Sequence, residues 1–208
     1  MAEPLPVTHV GIIGSSRPVL TVAAPTMWNA LVEHAVKEVS SIPGNVAIHT
    51  GGAAWGDQLN VAVAQRLPGK VTAVYLELPC PLLATGYYDN GGSSWITNPG
   101  RLSNIHHHNF SLAVHQDRSK SLKDLYDLKA VVRVHDGFHA RNTLIAKESS
   151  IILAYHDSSD RPTTGGTADT LKKTKGQIRC FSYATVLAPK IVVPSRIDPA
   201  VLARLGSG

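Results

Sequence analysis

An α/β fold built around a mostly parallel sheet is predicted by three observations. Apolar runs of strand length alternate with segments of helical periodicity. The links between them are short, so consecutive strands are joined by helical crossovers. Two of the first three strands run into glycine-rich turns. A β-α-β-α-β order with short links forces parallel pairing and right-handed crossovers.

The elements follow in order. Val7–Gly14 (VTHVGIIG) is the continuous apolar run of a strand buried on both faces, and it leads into Gly14-Ser15-Ser16-Arg17-Pro18. Thr26–Ser40 places Trp28, Leu31, Val32, Ala35 and Val39 at helical spacing, and Ile42-Pro43-Gly44-Asn45 closes it. A second strand, Val46–Thr50, runs into Gly51-Gly52-Ala53-Ala54-Trp55-Gly56-Asp57. The next helix carries Leu59, Ala62, Val63 and Leu67 and stops at Pro68-Gly69; Val71–Leu78 is the third strand.

From Pro79 to Lys120 the periodicity lapses into an irregular excursion at about 80–120, rich in Gly, Asn and Ser. Such a stretch is too long for a passive link, so a lid or partner-binding role is expected. Its aromatics Tyr87, Tyr88, Trp95 and Phe110 either stack on a base or anchor the loop to the body. A helix Leu122–Leu128 and a strand Ala130–Val134 return the chain to the sheet. Arg141-Asn142 then opens a short helix, Ile151–Tyr155 is a strand, Gly165-Gly166-Thr167 opens another helix, and Ile178–Leu187 is the last strand. The prediction is a Rossmann-like three-layer sandwich, a single domain over 1–187 followed by a Pro-punctuated C-terminal tail at 188–208.

The composition is that of a globular protein, with 43% apolar and 17% charged residues. Cys80 and Cys180 form no metal-like pair, and a reducing compartment is the default for so few cysteines. No apolar run reaches membrane-spanning length, and the start MAEPLPVTHV is too polar and Pro-rich for a signal peptide. A cytoplasmic protein without a membrane partner is expected. The net charge of +5 suits anionic ligands, but the basic residues are scattered apart from Lys172, Lys173 and Lys175. No nucleic-acid stripe results, which makes nucleic acid the less favoured partner.

A strand that ends in a glycine turn feeding a helix is a ready anion site, because the free N–H groups and the positive dipole end both face the ligand. Gly165, Gly166 and Thr167 form one such turn, to which Arg141 adds a forked guanidinium. Its bland alternative is a salt bridge to Asp136 or Asp169. Gly14, Ser15 and Arg17 offer N–H, hydroxyl and guanidinium donors at another strand end, and Gly51 and Gly52 let a ligand approach the backbone. Asp57 either caps the following helix or accepts from ribose hydroxyls. For Asp169 the helix dipole alone is sufficient reason. The ten histidines include His106-His107-His108 and the pair His135/His139, but no recognised zinc spacing is present. No metal and no cofactor are expected.

These motifs resemble the superfamily that joins Smf/DprA and Lonely Guy-like Rossmann proteins (SLOG). GIIGSSRP, HTGGAAWGDQLNVAVA, HARNTLIAKESSIILAY and TTGGTADTLKKTKG carry the resemblance. It covers roughly residues 7–186 and is closest to the YpsA-like branch, which has an opening Gly-x-Arg-Pro, a Gly-rich turn with an Asp, an Arg-Asn and a late Gly-Gly-Thr. The resemblance implies a nucleotide or nucleotide-derived ligand at the C-terminal sheet edge. The implied contacts are Gly14, Ser15, Arg17, Gly51, Gly52, Asp57, Arg141, Asn142, Gly165, Gly166 and Thr167. It also implies a homo-oligomer built through helices beside the site. Where Lonely Guy phosphoribohydrolases carry a catalytic Glu, this chain has Thr170. Asp169, one residue earlier, points about 100° around the helix. A binding module or sensor is therefore the first reading. An N-glycosidase/phosphoribohydrolase acting on a nucleoside monophosphate, with Asp57 or Asp169 as acid/base, is the second. DprA-like single-stranded DNA binding is the third.

Overall fold

The computed structural model describes residues 6–16, 24–115, 117, 120–158 and 160–188. In chain order the elements are β1 (Val7–Gly14), α1 (Ala24–Ser40), β2 (Asn45–Thr50), α2 (Leu59–Arg66) and β3 (Val71–Leu78). A small hairpin of β4 (Leu82–Leu83) and β5 (Gly86–Tyr87) follows, then α3 (Pro99–Ala113), α4 (Lys120–Asp127), β6 (Val131–Val134) and α5 (Gly137–Glu148). The chain continues with β7 (Ile151–His156), α6 (Gly165–Lys173), β8 (Gln177–Ser182) and α7 (Tyr183–Leu187).

Six strands form one sheet in the order β6-β3-β2-β1-β7-β8, and each neighbouring pair is parallel. Helices cover both faces, which is why the central strands read as continuous apolar runs. On one face Val10, Ile12, Val46 and Ile48 pack with Met27, Leu31 and Ala35 of α1 and Leu59 of α2. On the other, Ile13, Ile152 and Ala154 meet Ile145 of α5 and Leu171 of α6. Burying each Leu or Ile contributes about 1.5–3 kcal/mol, so these two layers hold the sandwich together. The architecture is a three-layer α/β sandwich of Rossmann-like type. No helix among the described residues is long and apolar enough to cross a membrane.

Three local expectations need correction. The excursion is not irregular throughout, because it contains α3. Asn98 caps that helix by accepting from the Arg101 N–H at 3.3 Å, and Pro99 occupies its first turn. The buried stripe of α3 is Ser103, His107, Phe110 and Ser111, which is helical in spacing but mostly polar, so hydropathy does not reveal it. The last strand stops at Ser182 instead of running to Leu187. The Ser182 hydroxyl accepts from the Thr185 N–H at 3.1 Å and starts α7, whose Tyr183 is buried. Finally, Arg141 and Asn142 do not open α5; the helix begins at Gly137, a residue in the left-handed region with φ of 78°. The tail beyond Ala188 lies outside the described residues.

Candidate functional site

The chain builds the sheet outward from β1 through β2, β3 and β6, then returns to the other side of β1 with β7 and β8. The strand order therefore reverses between β1 and β7, and in open α/β sheets the crevice at such a point is where ligands bind. A cleft of about 1080 Å³ opens there. Its walls come from the residues after β1, those after β7, the helix α5, the start of α6 and part of the excursion.

The turn after β1 is fixed by the Ser15 N–H, which donates to Tyr155 O at 2.9 Å, and by the Tyr183 hydroxyl, which donates to Ser15 O at 3.1 Å. The Ser15 hydroxyl donates to Asp157 Oδ1 at 3.1 Å, so the ends of β1 and β7 are tied across the cleft floor. At α6 the first N–H groups have no acceptor within the helix, as at any helix start. Gly165, Gly166 and Thr167, which carry them, line the cleft. A Cβ on Gly165 would meet nothing within 4 Å, and one on Gly166 would meet only Asn142 Nδ2 at 3.7 Å.

Asp57 and Arg141 form a buried centre beside this floor. Asp57 Oδ1 accepts from the Gly14 N–H at 2.9 Å, and Oδ2 accepts from the Gly51 and Ala53 N–H groups at 3.1 and 3.3 Å. Arg141 Nη1 donates to Gly51 O at 2.5 Å and lies 3.5 Å from Asp57 Oδ2, while its Nε donates to Asn142 Oδ1 at 2.8 Å. Its charge partner is thus Asp57, not Asp136 or Asp169. Burial pushes the Asp57 carboxyl up from its ordinary range, against the downward pull of Arg141 and the three backbone N–H groups. Asn142 Nδ2 reaches across to α6, donating to Gly166 O at 3.3 Å and to Asp169 Oδ2 at 3.1 Å.

Of the residues expected to bind ligand, Gly14, Ser15, Asp57, Arg141, Asn142, Gly165, Gly166 and Thr167 line the cleft together. Arg17 lies outside the described residues. Gly51 and Gly52 are close by but face protein. A Cβ on Gly51 would fall 1.7 Å from Arg141 Nη1, and one on Gly52 would fall 2.6 Å from the Tyr87 hydroxyl. Gly52 O accepts from that hydroxyl at 2.8 Å and from His107 Nε2 at 2.9 Å. Burial lowers His107 to about 4, so its ring stays neutral and serves as a strut between α3 and the turn.

Asp169 stands behind the cleft wall. Burial pushes its carboxyl up, but hydrogen bonds from Lys173, Asn142 and His139 outweigh that and hold it below its usual range. Thr170 lines the cleft and spends its hydroxyl on Gly166 O at 3.1 Å. The remaining paired histidine, His135, donates toward Glu77 Oε2 at 2.8 Å on the sheet face. Among the described residues no group of three His, Cys, Asp or Glu side chains is placed to hold an ion.

Sequence reasoning gave no ligand role to several lining residues, Asp157 and Arg161 after β7 and Ser103 and His106 on α3, and it left Trp95 open between base stacking and anchoring. The Asn98-Pro99 start signal was the available clue to α3, since Asn caps and Pro tolerates the first helical position. Nothing local marks Asp157, whose partner Ser15 is far away in the chain.

No protein-family model matches the chain. It is similar to an uncharacterized protein, R261, of Acanthamoeba polyphaga mimivirus, with 26% identity over 171 residues, 80% of this chain and 88% of that protein. That likeness brings no named activity with it. Geometry carries the assignment: a Rossmann-like α/β fold with a cleft of mixed polar and apolar lining at its switch point.

Proposed function

We propose that the chain binds a nucleotide or nucleotide-derived ligand in this cleft and acts as a binding module or sensor. The observation that carries the reading is the convergence of two strand ends and the open glycine start of α6 at one switch point. A phosphate fits the N–H groups of Gly165–Thr167, and Asp157 with Ser15 offers acceptors and a hydroxyl to a ribose. The order of the GSSRP, GGAAWGD, ARN and GGT motifs supports placement in the YpsA-like branch of the superfamily. We also propose a cytoplasmic homo-oligomer as the working form, the compartment on the low cysteine count and the oligomer on the habit of the superfamily it resembles.

One observation favours hydrolysis as a second reading. Asp57 lines the cleft, and burial raises its carboxyl above its ordinary range, the direction a general acid needs. Against this, both its oxygens already accept backbone N–H groups, and the catalytic Glu position is Thr170. Incubation with a nucleotide panel, followed by mass spectrometry of retained ligands and released bases, tests both readings. Retention without base release is expected. Release of free base that disappears in an Asp57→Asn variant still retaining the nucleotide would establish the hydrolytic reading, and retention of no panel member would overturn the binding reading.

A further inference from the structure

Besides the polar lining at Gly14–Ser15 and Gly165–Thr167, the cleft has an aromatic lining. Trp95 precedes α3 and lines the cleft with 47% of its surface exposed. The other two tryptophans behave differently: Trp28 and Trp55 lie edge-on in a cluster with Phe110. An indole left half-exposed inside a cleft forgoes the burial that the fold provides for the others. Its neighbours are Phe138 and His139, at ring-centroid distances of 6.2 and 6.1 Å, and both belong to the first turn of α5. The interplanar angles are 41° and 59°, so neither neighbour is stacked face to face on the indole. The Arg141 guanidinium lies 5.4 Å over the Phe138 ring and joins this aromatic lining to the buried centre.

We propose that Trp95, Phe138 and His139 form a stacking shelf for a heteroaromatic base, so that the ligand is a nucleotide retaining its base and not a bare sugar phosphate. The inference rests on the nucleotide reading above and adds which end of the ligand is recognised by which lining. Every base has a π-face, and stacking on an aromatic side chain is tolerant of base identity. The polar lining at Gly14–Ser15 and Gly165–Thr167 then takes the sugar and phosphate, while the aromatic lining takes the base. Because the three rings come from the excursion and from α5, they form one surface only in the folded chain.

The test titrates the full chain with AMP, GMP, CMP and UMP, and with ribose 5-phosphate as the base-free probe. Affinity is read by calorimetry and stacking by tryptophan fluorescence. The tightest nucleotide is expected to quench emission and to bind roughly tenfold or more tightly than ribose 5-phosphate. Trp95→Ala is expected to weaken that nucleotide roughly tenfold while leaving ribose 5-phosphate unchanged. Trp95→Phe keeps a ring, so it retains most of the affinity but loses the quench, since neither Trp28 nor Trp55 lines the cleft. Equal affinity for nucleotide and ribose 5-phosphate overturns the shelf and leaves the phosphate site standing. The same holds if Trp95→Ala binds nucleotide like the wild type, or weakens both ligands equally. Failure of the wild-type protein to bind either class overturns the nucleotide reading itself, and the shelf with it.

Discussion

Two glycine pairs sit in this molecule at equivalent topological places and do different work. Gly51-Gly52 follows β2, and Gly165-Gly166 opens α6; both read in sequence as turns that let an anion approach the backbone. Around Gly51-Gly52 the space beyond the missing Cβ is filled by Arg141, Asp57, Tyr87 and Leu78. Around Gly165-Gly166 it is open, with a single neighbour at 3.7 Å. The first pair is glycine because the protein packs into it; the second borders the open cleft, where Gly165 also holds a left-handed φ of 81°. A glycine motif thus reports close approach without saying what approaches.

The comparison breaks or sharpens under substitution. The largest effect belongs to the packed turn. Asp57→Asn puts an amide N–H against N–H donors of Gly51, Ala53 and Arg141, and removing one partner of a buried charge pair costs about 3–5 kcal/mol. Urea denaturation is expected to show that loss. A change below about 1 kcal/mol would mean the turn is not held by its carboxylate.

Arg141 belongs to both regions, since it fills the space at Gly51 and also lines the cleft. Arg141→Ala is expected to cost a nucleoside monophosphate about 1.5–3 kcal/mol of binding and its unphosphorylated nucleoside much less. Equal losses in calorimetry would assign Arg141 wholly to the packed turn. Gly166→Val probes the open turn alone. Its stability should stay within about 1 kcal/mol of wild type, while nucleotide affinity falls by about tenfold or more, because the added side chain enters cleft space. Unchanged affinity would make this turn a connector as well.

The smallest effect is one of pH. The Asp169 pKa is lowered below its ordinary value of 3.8. Its contribution to stability is therefore present above that value and is lost as pH falls through the folded-state value. Asp169→Asn should remove this part of the acid dependence, reducing the difference in unfolding free energy between about pH 7 and about pH 3. An unchanged difference would show that the Lys173–Asp169–Asn142 bridge does not hold α6 beside the open turn.

Much of the fold was legible because its signals are local and repeated. Val7–Gly14 and Val71–Leu78 are strands with the bounds that their apolar runs dictate. The helix α3 was not, because its buried stripe is satisfied by hydrogen bonds instead of apolar contact. His107 pairs with Ser121 and Gly52, and Ser111 with Ser121. Their partners lie outside the helix, so no periodicity of hydropathy survives in the sequence. The same limit applies to the aromatics of the excursion. Tyr87 and Phe110 are buried anchors, while Tyr88 and Trp95 are half-exposed, and only the last of these lines the cleft.

By itself the sequence determined the order of the six main strands and most of their crossover helices, the parallel sheet and part of the cleft wall. Strand periodicity, glycine stops and short crossovers act over a few residues and leave few topologies open. The tertiary structure decided which glycines face the cleft, that Arg141 pairs with Asp57, and that Asp157 and Trp95 share a cleft with Gly165. Each of these depends on side chains that meet across long stretches of chain, and their approach is set by how the helices pack on the sheet, not by any residue's immediate neighbours.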